Sequence, residues 1–302
     1  MRIGIWIDTG HFPAGGPTVV LIGLIIGLKQ VLPDCLVLIN DEGDININLS
    51  ARLHPCLLPE NTIHAANPIS MGVTQEPEKD LIWKYSKNMT FTSYWVIDWL
   101  DQFFPIKKSI INNIKNIYIW ESGIDTSYFV PSNTRKLNDF FIYYKSQNAT
   151  QIEGVWGFLF HNFYGLKGQL LCYHFYKPEM LRNLAQSSKF CIMVDNEETQ
   201  GLAALEIMAC GCPIFCIDKK SYTRGSLMMS GSVTSICSWS EECGIKSTEE
   251  KWKEDFPIFL KNIKSYNPAK FVHERYSFAT TAKTILLISS DIMRKELLTS
   301  SQ

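Results

Sequence analysis

Residues 190–218 read FCIMVDNEETQGLAALEIMACGCPIFCID, and this stretch constrains the fold more than any other. Two apolar runs, 190–195 and 213–218, flank a helix-patterned segment of mostly small residues at 201–210. Strands joined through a helix lie parallel, because a parallel pair needs a crossover connection. Gly211 and Pro213 stop the helix and launch the second strand. A parallel sheet is covered on both faces, so the chain must supply further strand–helix units around this one.

It does so in two blocks. In the first, 2–8 is an Ile-rich strand, 9–17 a loop holding Gly10, Gly15 and Gly16, and 18–30 a helix apolar on all sides. Strands are expected at 35–40, 88–93 and 117–120 and a helix at 94–104, while the Asn-Ile alternation at 44–49 is only weakly strand-like. The polar stretch 133–137 reads as a linker. Beyond it come strands at 139–145, 167–175, 190–195, 213–218 and 233–239, and a mixed segment at 151–162. A helix is expected at 178–187, with Pro178 tolerated in its first turn, and helical segments fill 249–265 and 269–299. A chain of 302 residues that is 46% hydrophobic has room for two cores. The expected architecture is two α/β domains with largely parallel sheets, 1–132 and 133–275, and a helical tail at 276–302. Ligands of such sheets bind beyond the carboxyl ends of the strands. That points to the loops 9–17, 145–148 and 196–201, and to a cleft between the domains.

Composition removes several function classes. Lys plus Arg total 29 against 30 for Asp plus Glu, so no broad basic field is available for nucleic acid. The nine cysteines are an odd set scattered through apolar segments, which reads as reduced core thiols of a cytoplasmic protein. There is no Walker lysine motif, no Gly-x-Gly-x-x-Gly, no paired-cysteine zinc spacing and no Asp-x-Asp pair. Neither a metal nor a resident cofactor is therefore expected.

The chemistry concentrates in the opening stretch. Its first strand delivers Glu197 and Glu198, and the backbone N–H groups near Thr199, Gln200, Gly201 and Leu202 form an anion site suited to a diphosphate. Glu206 follows about a turn and a half into the helix, where a carboxylate can accept from a ribose diol. Taken singly, two such glutamates are more often a solvated helix start and a solvated face.

The whole string, however, resembles the signature of the retaining GT-B glycosyltransferases of family four (glycosyl transferases group 1). Glu198, seven residues, then Glu206 hold the family's spacing, and Met208, Ala209, Gly211 and Pro213 match the turn that follows. Gly15 and Gly16 match the family's glycine-rich loop, though a tight turn explains them as well. Residues 121–131, ESGIDTSYFVP, look like its domain-junction segment.

The resemblance implies a GT-B architecture of two Rossmann-like domains, the second binding a nucleoside-diphosphate sugar and the first a glycan, lipid or glycolipid acceptor. It implies a retaining, metal-independent hexosyl or pentosyl transfer from a UDP- or GDP-linked donor. Glu198 would hold the sugar hydroxyls, Glu206 the ribose, Gly15 and Gly16 the donor phosphates, and Tyr173, in an aromatic run at 173–176, the base. Lys145 stands where the family usually has an Arg for the diphosphate. The Lys expected five residues later is Thr150, leaving Lys167, Arg224 or nothing as the second cation. His11 and Ser93 would border the acceptor, and the tail would return to the first domain. Lys107, Lys108 and Lys115 offer a small basic face for peripheral membrane contact. Two other readings stay open: a non-catalytic nucleotide-sugar-binding subunit, and a nucleotide-sugar epimerase using His11. Oligomeric state is not legible.

Overall fold

The computed structural model describes residues 1–8, 10, 16–50, 53, 57–65, 86–103, 114–145, 149–194, 198–219, 221–224, 227–230 and 233–300. The chain divides into two compact units, Met1–Gly123 with Ser277–Gln302, and Ile124–Tyr276. Residues 133–137, read above as a linker, fall inside the second unit. Among the described residues no helix is long and apolar enough to cross a membrane.

In unit 1 six strands form one sheet: β1 (Arg2–Trp6), β2 (Leu36–Ile39), β3 (Ile45–Asn48), β4 (Ile63–His64), β5 (Asn88–Phe91) and β6 (Asn116–Ile119). Their order is β2-β1-β3-β4-β5-β6, and every pairing is parallel. Helix α1 (Gly16–Val31) follows β1, and α2 (Tyr94–Phe103) follows β5. α1 buries Leu24 and Leu28 but leaves Val19, Ile22 and Ile26 exposed, so it is not enclosed on all sides as its sequence suggests. The weak Asn-Ile alternation is strand β3. Asn46 and Asn48 are buried yet satisfied, Asn46 accepting from the Trp6 indole and Asn48 from the Ser50 backbone N–H.

Unit 2 carries a five-stranded sheet. It runs β7 (Asn138–Tyr144), α3 (Ala149–Asn162), β8 (Gly168–Cys172), α4 (Pro178–Ser187), β9 (Ser188–Val194), α5 (Leu202–Ala209) and β10 (Ile214–Asp218). A hairpin of β11 (Ser221–Arg224) and β12 (Leu227–Ser230) follows, then β13 (Gly244–Thr248), α6 (Trp252–Asn262) and α7 (Pro268–Arg275). The sheet order is β13-β10-β9-β7-β8, again all parallel. Alternation along the strands feeds two cores. Phe141, Tyr143, Cys191, Met193 and Ile214 pack with α4, α5 and α7, whereas Phe140, Ile142, Phe190, Ile192 and Phe215 pack with α3 and α6. All the described cysteines are free thiols, and most are buried in these cores.

Three further expectations needed correcting. Residues 151–162 belong to helix α3, and β8 stops at Cys172, before a turn in which His174 takes a φ of 69°. Residues 233–239 form no strand, and the fifth strand is β13 instead. The Thr234 hydroxyl and the Ser235 N–H bond the Asp218 side chain of β10, and Lys246 of β13 donates to Thr234, so side-chain ties replace a backbone ladder.

The final helix, α8 (Phe278–Ser300), returns to unit 1 and lies on α1. Phe278, Ala282, Ile285, Ile288 and Ile292 are buried at helical spacing against the unit 1 core. Each large apolar side chain among them stabilises the unit by about 1.5–3 kcal/mol. Gly27 permits the close approach, since a Cβ there would run into the Phe278 carbonyl. The Trp120 indole donates to the Thr281 carbonyl at 3.0 Å and the Tyr118 hydroxyl to Asp291 at 2.7 Å.

Candidate functional site

Three neighbouring strand ends of unit 2 converge. Because β7 lies between β8 and β9, Tyr144 stands level with both Cys172 and Val194. The residues just beyond these ends are Lys145, Tyr173 and the chain leading to Glu198. Lys145 Nζ is 3.0 Å from Glu198 Oε1, both side chains being only about a fifth exposed. The same ammonium stands 5.6 Å from the centre of the Tyr173 ring. The Tyr173 N–H donates to the Tyr144 carbonyl at 2.8 Å, which holds the Tyr173 backbone beside the end of β7.

Beyond Glu198 the chain turns into α5. Gly201 adopts φ +83°, a left-handed conformation that favours glycine. Gly201 brings no side chain to cap the helix, and its carbonyl takes the Ala204 N–H at 3.0 Å. The N–H groups of Leu202 and Ala203 have no acceptor within the helix and stand at its positive end. Thr199 is partly buried and Gln200 buried in the turn before them.

Glu206 is half-buried, and among the described residues its carboxyl has no hydrogen bond or ion pair. Burial pushes its pKa up to about 8. Tyr176 stands near it, 3.4 Å from the Tyr143 hydroxyl. Burial pushes the Tyr176 phenol up, with Glu206, Tyr173 and Glu198 adding to the effect, so it stays protonated.

Of the other sequence candidates, Gly16 opens α1 and is exposed, and Ser93 is buried just past the end of β5. Both belong to unit 1. His11, Gly15, Glu197, Lys107 and Lys108 lie outside the described residues, as does the Arg224 side chain. Lys167 is a poor second cation on topological grounds. It precedes β8, and its N–H bonds Asp139 at the start of β7, so it stands at the opposite end of the sheet from Lys145. An open apolar groove of about 410 Å³ lies on α3, lined by Ile152, Glu153, Trp156 and Phe160 with Leu170 of edge strand β8, and none of its lining residues is a cation. Sequence reasoning missed Thr234 and Cys237. The Glu198 N–H donates to the Thr234 carbonyl at 3.1 Å, and the Cys237 thiol donates to the Glu198 carbonyl at 2.8 Å. Their segment, VTSICSW, reads as a strand, and nothing in it signals the bonds to Glu198.

No protein-family model matches the chain, and no curated protein sequence does. Solved structures do. Sucrose-phosphate synthase from Thermosynechococcus elongatus is 10% identical, with a TM-score of 0.58 over 98% of this chain and 100% of that one. The catalytic domain of starch synthase IV from Arabidopsis thaliana, bound to ADP and acarbose, is 10% identical with a TM-score of 0.57, covering 96% and 99%. TarM of S. aureus, as a variant complexed with fondaparinux, α-GlcNAc-glycerol and UDP, is 9% identical with a TM-score of 0.53, covering 89% and 58%. At these identities the likeness speaks to fold, and the fold is GT-B: two Rossmann-like domains, each built on a parallel sheet.

Proposed function

We propose that this chain is a glycosyltransferase that moves a sugar from a nucleoside-diphosphate donor held by unit 2 to a hydroxyl acceptor. The observation that carries the reading is the convergence of Tyr173, Lys145 and Glu198 at adjacent strand ends, before a helix start without a side-chain cap and with Glu206, which has no hydrogen bond or ion pair among the described residues, inside it. Similar structures bound to ADP and UDP lend fold-level support to a nucleotide ligand.

In this reading the diphosphate lies on the N–H groups of Leu202 and Ala203, and Lys145 neutralises part of its charge. To do so Lys145 exchanges its Glu198 partner for phosphate oxygen, which releases the Glu198 carboxylate to the sugar hydroxyls. Glu206 holds the ribose diol and Tyr173 the base. The bond from the anomeric carbon to phosphate oxygen breaks, and the acceptor oxygen bonds the same carbon on the same face. Its proton passes to the departing phosphate oxygen. Preorganised donors and Lys145 stabilise the charge that develops there, so no metal is required. The acceptor belongs to unit 1, where Ser93 follows the carboxyl end of β5, the end at which such sheets bind ligands.

One observation favours a second reading, a nucleotide-sugar-binding subunit without catalysis. Lys145 is paired with Glu198, Lys167 is at the far end of the sheet, and position 150 holds Thr. Calorimetry with UDP- and GDP-sugars, with EDTA and with magnesium, on wild type and Glu206→Ala separates the cases. Metal-independent binding weakened in the variant, together with transfer to an acceptor, supports the transferase. Binding without turnover favours the subunit, and no binding to the folded protein refutes both.

A further inference from the structure

Residues 233–238 lie between the carboxyl end of β10 and the start of the Glu198 loop, and their contacts run in both directions. Below, Asp218, buried at the end of β10, accepts from the Thr234 hydroxyl at 2.9 Å and the Ser235 N–H at 2.6 Å. Lys246, in the middle of the adjacent β13, donates to Thr234 Oγ1 at 2.6 Å and to the Ile236 carbonyl at 2.9 Å, with Asp218 Oδ2 3.7 Å away. The ammonium also stands 5.9 Å from the centre of the Trp239 ring. With Lys246 donating to Thr234, the hydroxyl proton is directed to the Asp218 carboxylate, since bonds to charged groups are the stronger ones. Above, the segment clasps Glu198 at both backbone groups. Thr234 O takes its N–H at 3.1 Å, and Cys237 Sγ reaches its carbonyl at 2.8 Å and that of Thr199 at 3.4 Å. Val233, Ser235, Ile236 and Ser238 are buried, so the segment cannot drift outward without exposing them.

We propose that residues 233–238 are a positioning strap for the backbone of Glu198 and Thr199, gripping it through Thr234 and Cys237 and anchored to the sheet by Asp218 and Lys246. The proposal rests on the reading of Glu198 as a donor-site residue for its functional consequence, but not for its structural content. Glu198 lies beyond the end of β9, where no ladder holds it. The strap therefore sets where its carboxylate stands relative to Lys145. None of the four residues touches the reacting atoms, so each acts through Glu198.

Two measurements test this. Hydrogen exchange at the Glu198 amide is independent of any activity. In Lys246→Met that amide should exchange at least ~10-fold faster than in wild type while the amides of α5 keep their protection. Asp218→Asn loosens the same anchor and serves if Lys246→Met melts too early to read. Unchanged exchange in both overturns the strap, whatever the protein's function. Kinetics then test positioning: Cys237→Ala should lower kcat ~10-fold or more with a smaller change in donor KM, and Cys237→Ser, which keeps a donor, should recover it. Equal loss in Ala and Ser variants, or none in either, overturns the positioning role. If wild type neither binds nor turns over a nucleotide sugar, the proposed function fails and hydrogen exchange alone decides the strap.

Discussion

Replacing Glu206 with Gln keeps the side chain's shape and removes its ionisation, and the effect on stability should depend strongly on pH. In the folded protein burial raises this carboxyl from 4.5 to about 8. Below pH 4.5 the folded and unfolded states both carry the proton, and Glu206 makes no difference. As pH rises from 4.5 the unfolded chain loses its proton while the folded one keeps it, so stability falls, and it levels off only above about 8. The slope approaches about 1.4 kcal/mol per pH unit, so the wild type should lose up to about 3 kcal/mol between pH 6 and pH 8. Solvent reaching the half-buried carboxyl lowers this to roughly 2 kcal/mol. Glu206→Gln lacks this loss, so its advantage over wild type should grow by that amount across the interval. Urea titrations at pH 5.5, 7 and 8.5 measure it, read on the unit 2 transition because two units need not unfold together. A difference between the proteins that stays constant to within about 0.5 kcal/mol would refute the argument: Glu206 would then ionise as an ordinary solvated carboxyl.

Glu198→Gln frees Lys145 from its 3.0 Å partner, so UDP affinity by calorimetry should rise severalfold while transfer falls ~100-fold or more; weaker UDP binding would count against the exchange of partners. Gly201→Ala places a Cβ at φ +83° and should cost about 1–2 kcal/mol, seen as a unit 2 melting point several degrees lower. An unchanged melting point would mean that the turn before α5 tolerates an L-residue.

The fold class was legible because its signals are local. Alternating apolar runs, Pro178 at a helix start and Gly201 before small residues each dictate their own segment, and parallel pairing follows from the crossover helices. The candidate site was legible only in part. Glu198 and Glu206 share one strand–loop–helix, so their spacing shows in the sequence. The meeting of Lys145 with Glu198 depends on β7 lying beside β9 rather than beside β10, and no local pattern encodes that order. Lys167 stands at the wrong end of the sheet for a different reason: it precedes β8, which runs parallel to β7. Residues 233–239 were misread because a short run mixing Val, Thr and Ile with Ser and Cys suits a strand and a segment held by Thr234, Ser235 and their partners equally well. β4 has only two residues, Ile63 and His64, too few for any periodicity.

The closing of α8 onto α1 has a consequence for how the protein comes to exist. On the ribosome, residues 2–119 supply the six described strands of the unit 1 sheet, but Ile285, Ile288 and Ile292, which join their core, are made only after unit 2. At about 5–20 residues per second, roughly ten to thirty-five seconds separate the last strand from its cover. Unit 2, continuous in the chain, can fold within that interval. Unit 1 is therefore completed only after unit 2 has been made, and its Ile-rich strands wait uncovered through that interval.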